Sequence, residues 1–149
     1  MTLAYVGLGA NLGDREATIR AAAALLGARR LSTIVETEPW GLEDQPRFLN
    51  AVAELETGLE PRELLERLLG LERQLGRERT GPRWGPRTID LDLLVFGDRV
   101  VAEPGLTVPH PLLHERLFVL RPLAELAPAL DVPGRGPVAA LLAGVESNP

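Results

Sequence analysis

Two stretches with helical spacing alternate with four strand-like stretches in the order β-α-β-β-α-β, and that order limits the chain to few folds. Leu3 to Leu8 is a short apolar run, closed by Gly7, Gly9 and Gly13, and reads as a buried first strand. Asp14 caps an Ala/Leu-rich helix to about Gly27, with Ile19, Ala22, Leu25 and Leu26 near helical spacing. Leu31 to Thr37 returns as a β-branched strand, and Phe48 to Thr57 alternates as a third. Pro61 opens a strongly amphipathic helix through Leu64, Leu65, Leu68, Leu69, Leu71 and Leu75, ended by Gly76. Ile89 to Phe96 supplies the fourth strand, and Gly97-Asp98 a turn. The expectation is an α+β chain: a ferredoxin-like βαββαβ sandwich, its antiparallel sheet carrying helices on one face, plus a C-terminal extension. That extension reads as irregular, with short helices around Leu112 to Leu117 and from Pro137 to Ala143.

A chain of 149 residues fits one domain, 1–149. Cysteine is absent, which excludes disulfides, thiolate catalysis and thiolate metal sites. Lysine is absent too, so Schiff-base chemistry and the lysine-dependent P-loop are excluded. A net charge of −5 argues against a nucleic-acid coat. No apolar run approaches the ~18 residues of a membrane span, and Met-Thr-Leu-Ala-Tyr lacks a basic signal-peptide start. A cytoplasmic monomer acting on small molecules, with no nucleic-acid or membrane partner, is expected.

Arg83-Trp84-Gly85-Pro86-Arg87-Thr88-Ile89-Asp90-Leu91-Asp92 carries most of the chemical information. In a strand, successive side chains alternate faces, so Asp90 and Asp92 point one way while Ile89, Leu91, Leu93 and Val95 point the other. Two converging carboxylates repel unless a cation lies between them, and a hard divalent ion held by one or two carboxylates plus substrate phosphates is the usual solution. The pair would also accept two ions about 3.5–4 Å apart. Arg77, Arg79, Arg83 and Arg87 stand just upstream, and guanidinium groups grip phosphate oxygens bidentately. The plainer reading makes the aspartates the polar face of a half-solvated strand, but four arginines and an indole nearby favour a metal-bound polyphosphate.

Gly7-Leu8-Gly9-Ala10-Asn11-Leu12-Gly13 imitates a dinucleotide fingerprint, but Leu12 stands where the third glycine should fall. Gly9 remains suited to close approach of a flat ligand or a neighbouring segment. Aromatic residues make up 4% of the chain, and Trp40, Phe48, Trp84 and Phe118 are the candidates for stacking on a planar heterocycle. His110 lies in a proline-fixed segment with Arg116 close behind, and both suit phosphate contact; His114 reads as structural.

Taken together, Asp44-Gln45-Pro46-x-Phe48-Leu49-Asn50-Ala51, the Arg83–Asp92 segment, and Leu106-Thr107-Val108-Pro109-His110-Pro111 with Arg116 and Phe118 resemble the 6-hydroxymethyl-7,8-dihydropterin pyrophosphokinase family of folate biosynthesis. The likeness runs from Tyr5 to about Pro128. It implies transfer of the β,γ-diphosphate of ATP to a pterin hydroxymethyl group, leaving AMP, with two Mg²⁺ ions. By that resemblance Asp90 and Asp92 hold the metals, and Arg77, Arg87, His110 and Arg116 contact the triphosphate. Arg77 and Arg87 join the two aspartates as the catalytic set. Glu72, Trp84, Leu93 and Thr107 help form the ATP site. The pterin lies between Phe48 and Phe118, with Thr37, Pro39, Trp40 and Asn50 at its edge and rim. Residues 38–47 and 77–88 match loops that close over the substrates. Leu69 and Gly105 depart from the family pattern at two polar ATP contacts, and Pro111 and Phe48 each replace a tyrosine.

Two other classes share the expected topology. An RNA-recognition module would need sheet aromatics and a basic RNP1 segment, which this acidic chain lacks. A non-catalytic regulatory domain has no use for an aspartate pair beside four arginines.

Overall fold

The computed structural model describes residues 1–37, 47–76 and 89–147. A five-stranded antiparallel sheet is built from β1 (Thr2–Ala10), β2 (Arg30–Leu31), β3 (Val35–Thr37), β4 (Phe48–Thr57) and β5 (Asp90–Phe96). Its order is β2-β4-β1-β5, with β3 also paired to β4. Helices α1 (Arg15–Leu26) and α2 (Pro61–Leu75) cover one face, where Ile19, Ala22, Leu64 and Leu68 pack on Val6, Ala53, Leu91 and Leu93.

The expectation of helices on one face holds for α1 and α2 alone. The C-terminal third, read as largely irregular, contains a hairpin of β6 (Val101–Glu103) and β7 (Leu106–Val108), then helix α3 (Leu117–Leu126). A second small hairpin, β8 (Asp131–Val132) with β9 (Gly136–Pro137), leads into α4 (Val138–Glu146). Val119, Leu120, Leu123 and Val138 bury the sheet's other face through Tyr5, Val52, Leu94 and Val95. Strand β1 is therefore covered on both sides, which explains its nearly unbroken apolar run. Among the described residues no helix is long and apolar enough to cross a membrane.

Two local departures from simple strand reading have visible causes. The predicted strand 31–37 is split into β2 and β3 at Ser32. Its hydroxyl accepts a hydrogen bond from the Val52 amide at 2.9 Å and donates to the Thr33 carbonyl at 3.0 Å, so a side chain replaces a ladder carbonyl. In β5 the register against β1 shifts, with Val6 opposite Leu93 but Tyr5 opposite Val95. The extra residue, Leu94, is a bulge that reverses the alternation. Val95 accordingly joins Leu94 under α3 instead of sharing a face with Leu91 and Leu93, correcting the expected pattern.

Beside the bulge, where Tyr5 is opposite Glu54 and Val95, a polar cluster fastens α3 to the sheet. Glu54 accepts from the Tyr5 hydroxyl at 2.7 Å and from Arg30 Nε and Nη2 at 3.1 and 2.9 Å. Arg30 Nη2 also donates to the Leu126 carbonyl at 2.6 Å, and the Thr33 amide donates to the Glu125 carboxylate. The Arg30 hydrogen bond, outweighing burial, holds the Glu54 carboxyl below its usual range. Burial first, then the Glu54 hydrogen bond and charge, push the Tyr5 hydroxyl up to about 12. A raised phenol pKa favours the folded state below the unfolded value near ~10, and that advantage disappears as pH climbs through the folded value. Replacing Tyr5 by Phe should thus cost about 1 kcal/mol in urea unfolding at pH 7. It should also remove most of the extra loss of stability that the wild type shows between about pH 10 and 12; an unchanged alkaline limb would contradict the assignment.

Candidate active site

Beyond the N-terminal end of α3 no described residue covers the second face of the sheet, and a cavity of about 200 Å³ forms there. Its floor follows from the register of three strands. Gly9 of β1 is opposite Asn50 on one side and Asp90 on the other; Gly7 is opposite Val52 and Asp92. Tyr5, Gly7 and Gly9 share a face. Tyr5 is roofed by α3, whereas the two glycines, having no side chains, leave a depression between β4 and the carboxylates of β5. A Cβ on Gly9 would lie 2.9 Å from Asn50 Oδ1, so glycine here lets the Asn50 amide lie across the strand. Asn50 Nδ2 donates to Thr37 Oγ1 at 2.6 Å, fixing that amide against β3.

Asp90 is half-buried and Asp92 exposed, both on the cavity side of β5. Strand β5 is an edge, and its outer backbone groups find partners off the sheet. The Leu91 amide donates to Glu72 Oε2 at 2.8 Å, and the Leu94 carbonyl accepts from the His110 amide at 2.9 Å. The second bond draws the Pro109-His110-Pro111 segment to the bulge and delivers His110 to the cavity near Asp92. His110 Nδ1 accepts from the Leu112 amide at 3.1 Å, which assigns the ring proton to Nε2. Burial holds the imidazole below its ordinary range; the Asp92 charge opposes this and the Arg116 charge adds to it. The ring is a neutral donor at pH 7. Arg116 stands at the start of α3 with its guanidinium carbon 5.5 Å from the Phe118 ring centroid, a cation–π contact at the positive end of the helix. Phe48 and Phe118 enter the same cavity from β4 and α3.

Of the sequence-predicted residues, Thr37, Phe48, Asn50, Asp90, Asp92, His110, Arg116 and Phe118 meet in this cavity. Leu93 does not; it packs in the core beneath the opposite face. Thr107 is exposed on β7, away from the lining, and Glu72 turns its carboxylate to the Leu91 backbone. Pro39, Trp40, Arg77, Trp84 and Arg87 lie outside the described residues. His114 is half-buried outside the cavity lining, and its Nδ1 has no hydrogen-bond partner among the described residues. Gly7, Leu94 and Val119 line the cavity without having been singled out. Gly7 could have been found from its two-residue spacing to Gly9; Leu94 could not, because the bulge leaves no mark in composition. Gly105, one of the departures from the family pattern, has φ +76° in the β6–β7 turn, a backbone that glycine adopts without strain.

Residues 5–128 match the family model for 7,8-dihydro-6-hydroxymethylpterin-pyrophosphokinase (HPPK). The chain belongs to this family. Relatives named 2-amino-4-hydroxy-6-hydroxymethyldihydropteridine pyrophosphokinase include one from Bacillus subtilis, 48% identical over 87% of this chain and 80% of the relative. One from Pseudomonas aeruginosa is 44% identical over 97% of this chain and 96% of the relative. Among solved structures, an HPPK-DHPS of Plasmodium falciparum matches with a TM-score of 0.77 at 14% identity, over 98% of this chain and 46% of that one. That likeness concerns the fold, and the chain spans just under half of that larger protein. As an HPPK-family member the chain is an enzyme, a transferase of the pyrophosphokinase class.

The HPPK cavity makes one local demand that can be measured without any ligand. Gly9→Ala places a methyl against Asn50 Oδ1, the mobile end of a side chain, so the amide should swing off Thr37. A shifted Asn50 side-chain amide resonance, with stability lowered by about 1 kcal/mol, is the expected result; an unmoved resonance would show that the glycine is not needed there.

Proposed function

We propose that this enzyme transfers the β,γ-diphosphate of ATP to the hydroxymethyl oxygen of 6-hydroxymethyl-7,8-dihydropterin in a Mg²⁺-dependent reaction, releasing AMP. The observation that carries the reading is one cavity with opposed halves. Asp90 and Asp92 face it from β5, His110 and Arg116 stand near, and Phe48, Phe118 and the Asn50–Thr37 pair provide flat and polar surfaces. The sheet order and the crossing connections support a ferredoxin-like fold with a C-terminal extension.

The donor set suits Mg²⁺. Among the described residues no group of three or more His, Asp or Glu side chains could hold a metal alone. Two carboxylate-bearing residues beside a phosphate site fit a cation that completes its shell from substrate oxygens and water. When bound at Asp90 and Asp92, two such ions would neutralise phosphate charge and lower the pKa of the attacking alcohol. The chain's own groups position the reactants. The neutral His110 donates from Nε2 to a phosphate oxygen, and the Arg116 guanidinium takes another. Phe118 and Phe48 stack the pterin, and Asn50, oriented by Thr37, meets its hydrogen-bonding edge. In the reaction, a bond forms between the alcohol oxygen, whose proton passes to solvent, and the β-phosphorus, as the bond from that phosphorus to the oxygen retained by AMP breaks. No side-chain base is invoked, so positioning and charge compensation supply the rate.

The direct test is incubation with ATP, Mg²⁺ and the reduced pterin alcohol, reading AMP and pterin diphosphate. Asp90→Ala and Asp92→Ala should each lose at least about 1,000-fold in kcat, roughly 4 kcal/mol, with pterin affinity nearly unchanged. Activity within tenfold of wild type at saturating Mg²⁺ would remove the metal assignment. Phe118→Leu should weaken pterin binding by about 1 kcal/mol in calorimetry, the value of one aromatic stack, while leaving ATP binding in place.

A further inference from the structure

We infer that Glu72 is a positioning residue that sets the presentation of Asp90 and Asp92 by holding the backbone between them, an inference that rests on the pyrophosphokinase reading. The resemblance grouped Glu72 with the nucleotide contacts, and the structure places a carboxylate oxygen 2.8 Å from the Leu91 amide. Leu91 is the single residue separating the two aspartates.

The geometry makes this bond consequential. Among the described residues β5 pairs only with β1, and no described strand satisfies its outer amides. An unpaired edge is free to fray and twist. Asp90 and Asp92 pair across to Gly9 and Gly7, and the Leu91 amide between them points outward, where Glu72 receives it. Glu72 lies in the last turn of α2, whose Leu68 and Leu71 are packed in the same core as Leu91 and Leu93, so its backbone is anchored where its carboxylate must reach. The His110 amide takes the Leu94 carbonyl three residues on. Two off-sheet bonds thus bracket Asp92, and Glu72 supplies the one on the Asp90 side. What Leu91 requires is an acceptor of the right length.

Two substitutions separate reach from charge. Glu72→Gln keeps the length and an acceptor oxygen; Glu72→Asp keeps the charge but is shorter by a methylene. Expected for Glu72→Gln are kcat and the Mg²⁺ concentration for half-maximal AMP formation within about threefold of wild type. Expected for Glu72→Asp are a roughly tenfold lower kcat, a roughly tenfold higher Mg²⁺ requirement and an unchanged pterin KM. Leu91 amide hydrogen exchange, read by NMR on the ligand-free protein, should be about tenfold faster in Glu72→Asp and near wild type in Glu72→Gln. The reverse pattern, with the aspartate active and the glutamine impaired, would overturn the proposal in favour of a charge role. So would equal activity of both variants, or equal loss in both. If wild type formed no AMP, the pyrophosphokinase reading would fail, while the exchange contrast at Leu91 would still report on the clamp.

Discussion

The antiparallel pairing of β1 with β5, in the register that sets Asp90 across from Gly9 and Asp92 across from Gly7, is the constraint on which the rest of the molecule depends. Two carboxylates on one strand need a neighbouring row with no side chains if anything is to bind between them and β4. Glycine at two alternate positions of a central strand provides that row at a cost in strand stability. The cost is met because β1 is sandwiched by apolar residues over the rest of its length. A slip of one residue would turn both aspartates into the α1–α2 core, so the register is strongly enforced.

The bulge at Leu94 then resolves a conflict between the two ends of β5. Alternation that points Asp90 and Asp92 toward the open face would also put Leu94 and Phe96 there and send Val95 to the other side. With one inserted residue, Leu94 and Val95 both serve the core under α3, and Phe96 returns to the core under α1 and α2. The sheet face is thereby divided into an apolar half that α3 can seal and a polar half that it leaves open. At the sealed end Arg30, held by Glu54, donates to the C-terminal Leu126 carbonyl of α3; at the open end Arg116 and His110 bring positive charge and a neutral donor toward the carboxylates.

Hydrophobic periodicity located β4 and α2 to the residue and α1 nearly so, because their signals are local: alternation, a capping residue, a proline at the first turn. Periodicity could not reveal the split at Ser32 or the bulge at Leu94, since both arise from pairing with a distant strand. The six-residue apolar stripe read for α2 was too broad, because Leu69 faces solvent. Most of α3 went unread, its pattern interrupted by Pro122 and overlaid by the His110 and Arg116 motif. The cavity residues were recoverable where chemistry is carried by side chains, as at Asp90, Asp92, His110 and the two phenylalanines. They were not where backbone pairing does the work, as at the Leu94 bulge and at the Leu91 amide.

Helix α3 seals the second core with Leu120 and Leu123 and, from its opening residues, furnishes Arg116 and Phe118 to the cavity. Rigidity and recognition are therefore coupled through one element. Loosening the packing under α3 would blur ligand geometry before the chain unfolds, and a molecule spanning β5 and α3 would act as a staple across the sheet, returning its binding free energy as resistance to heat.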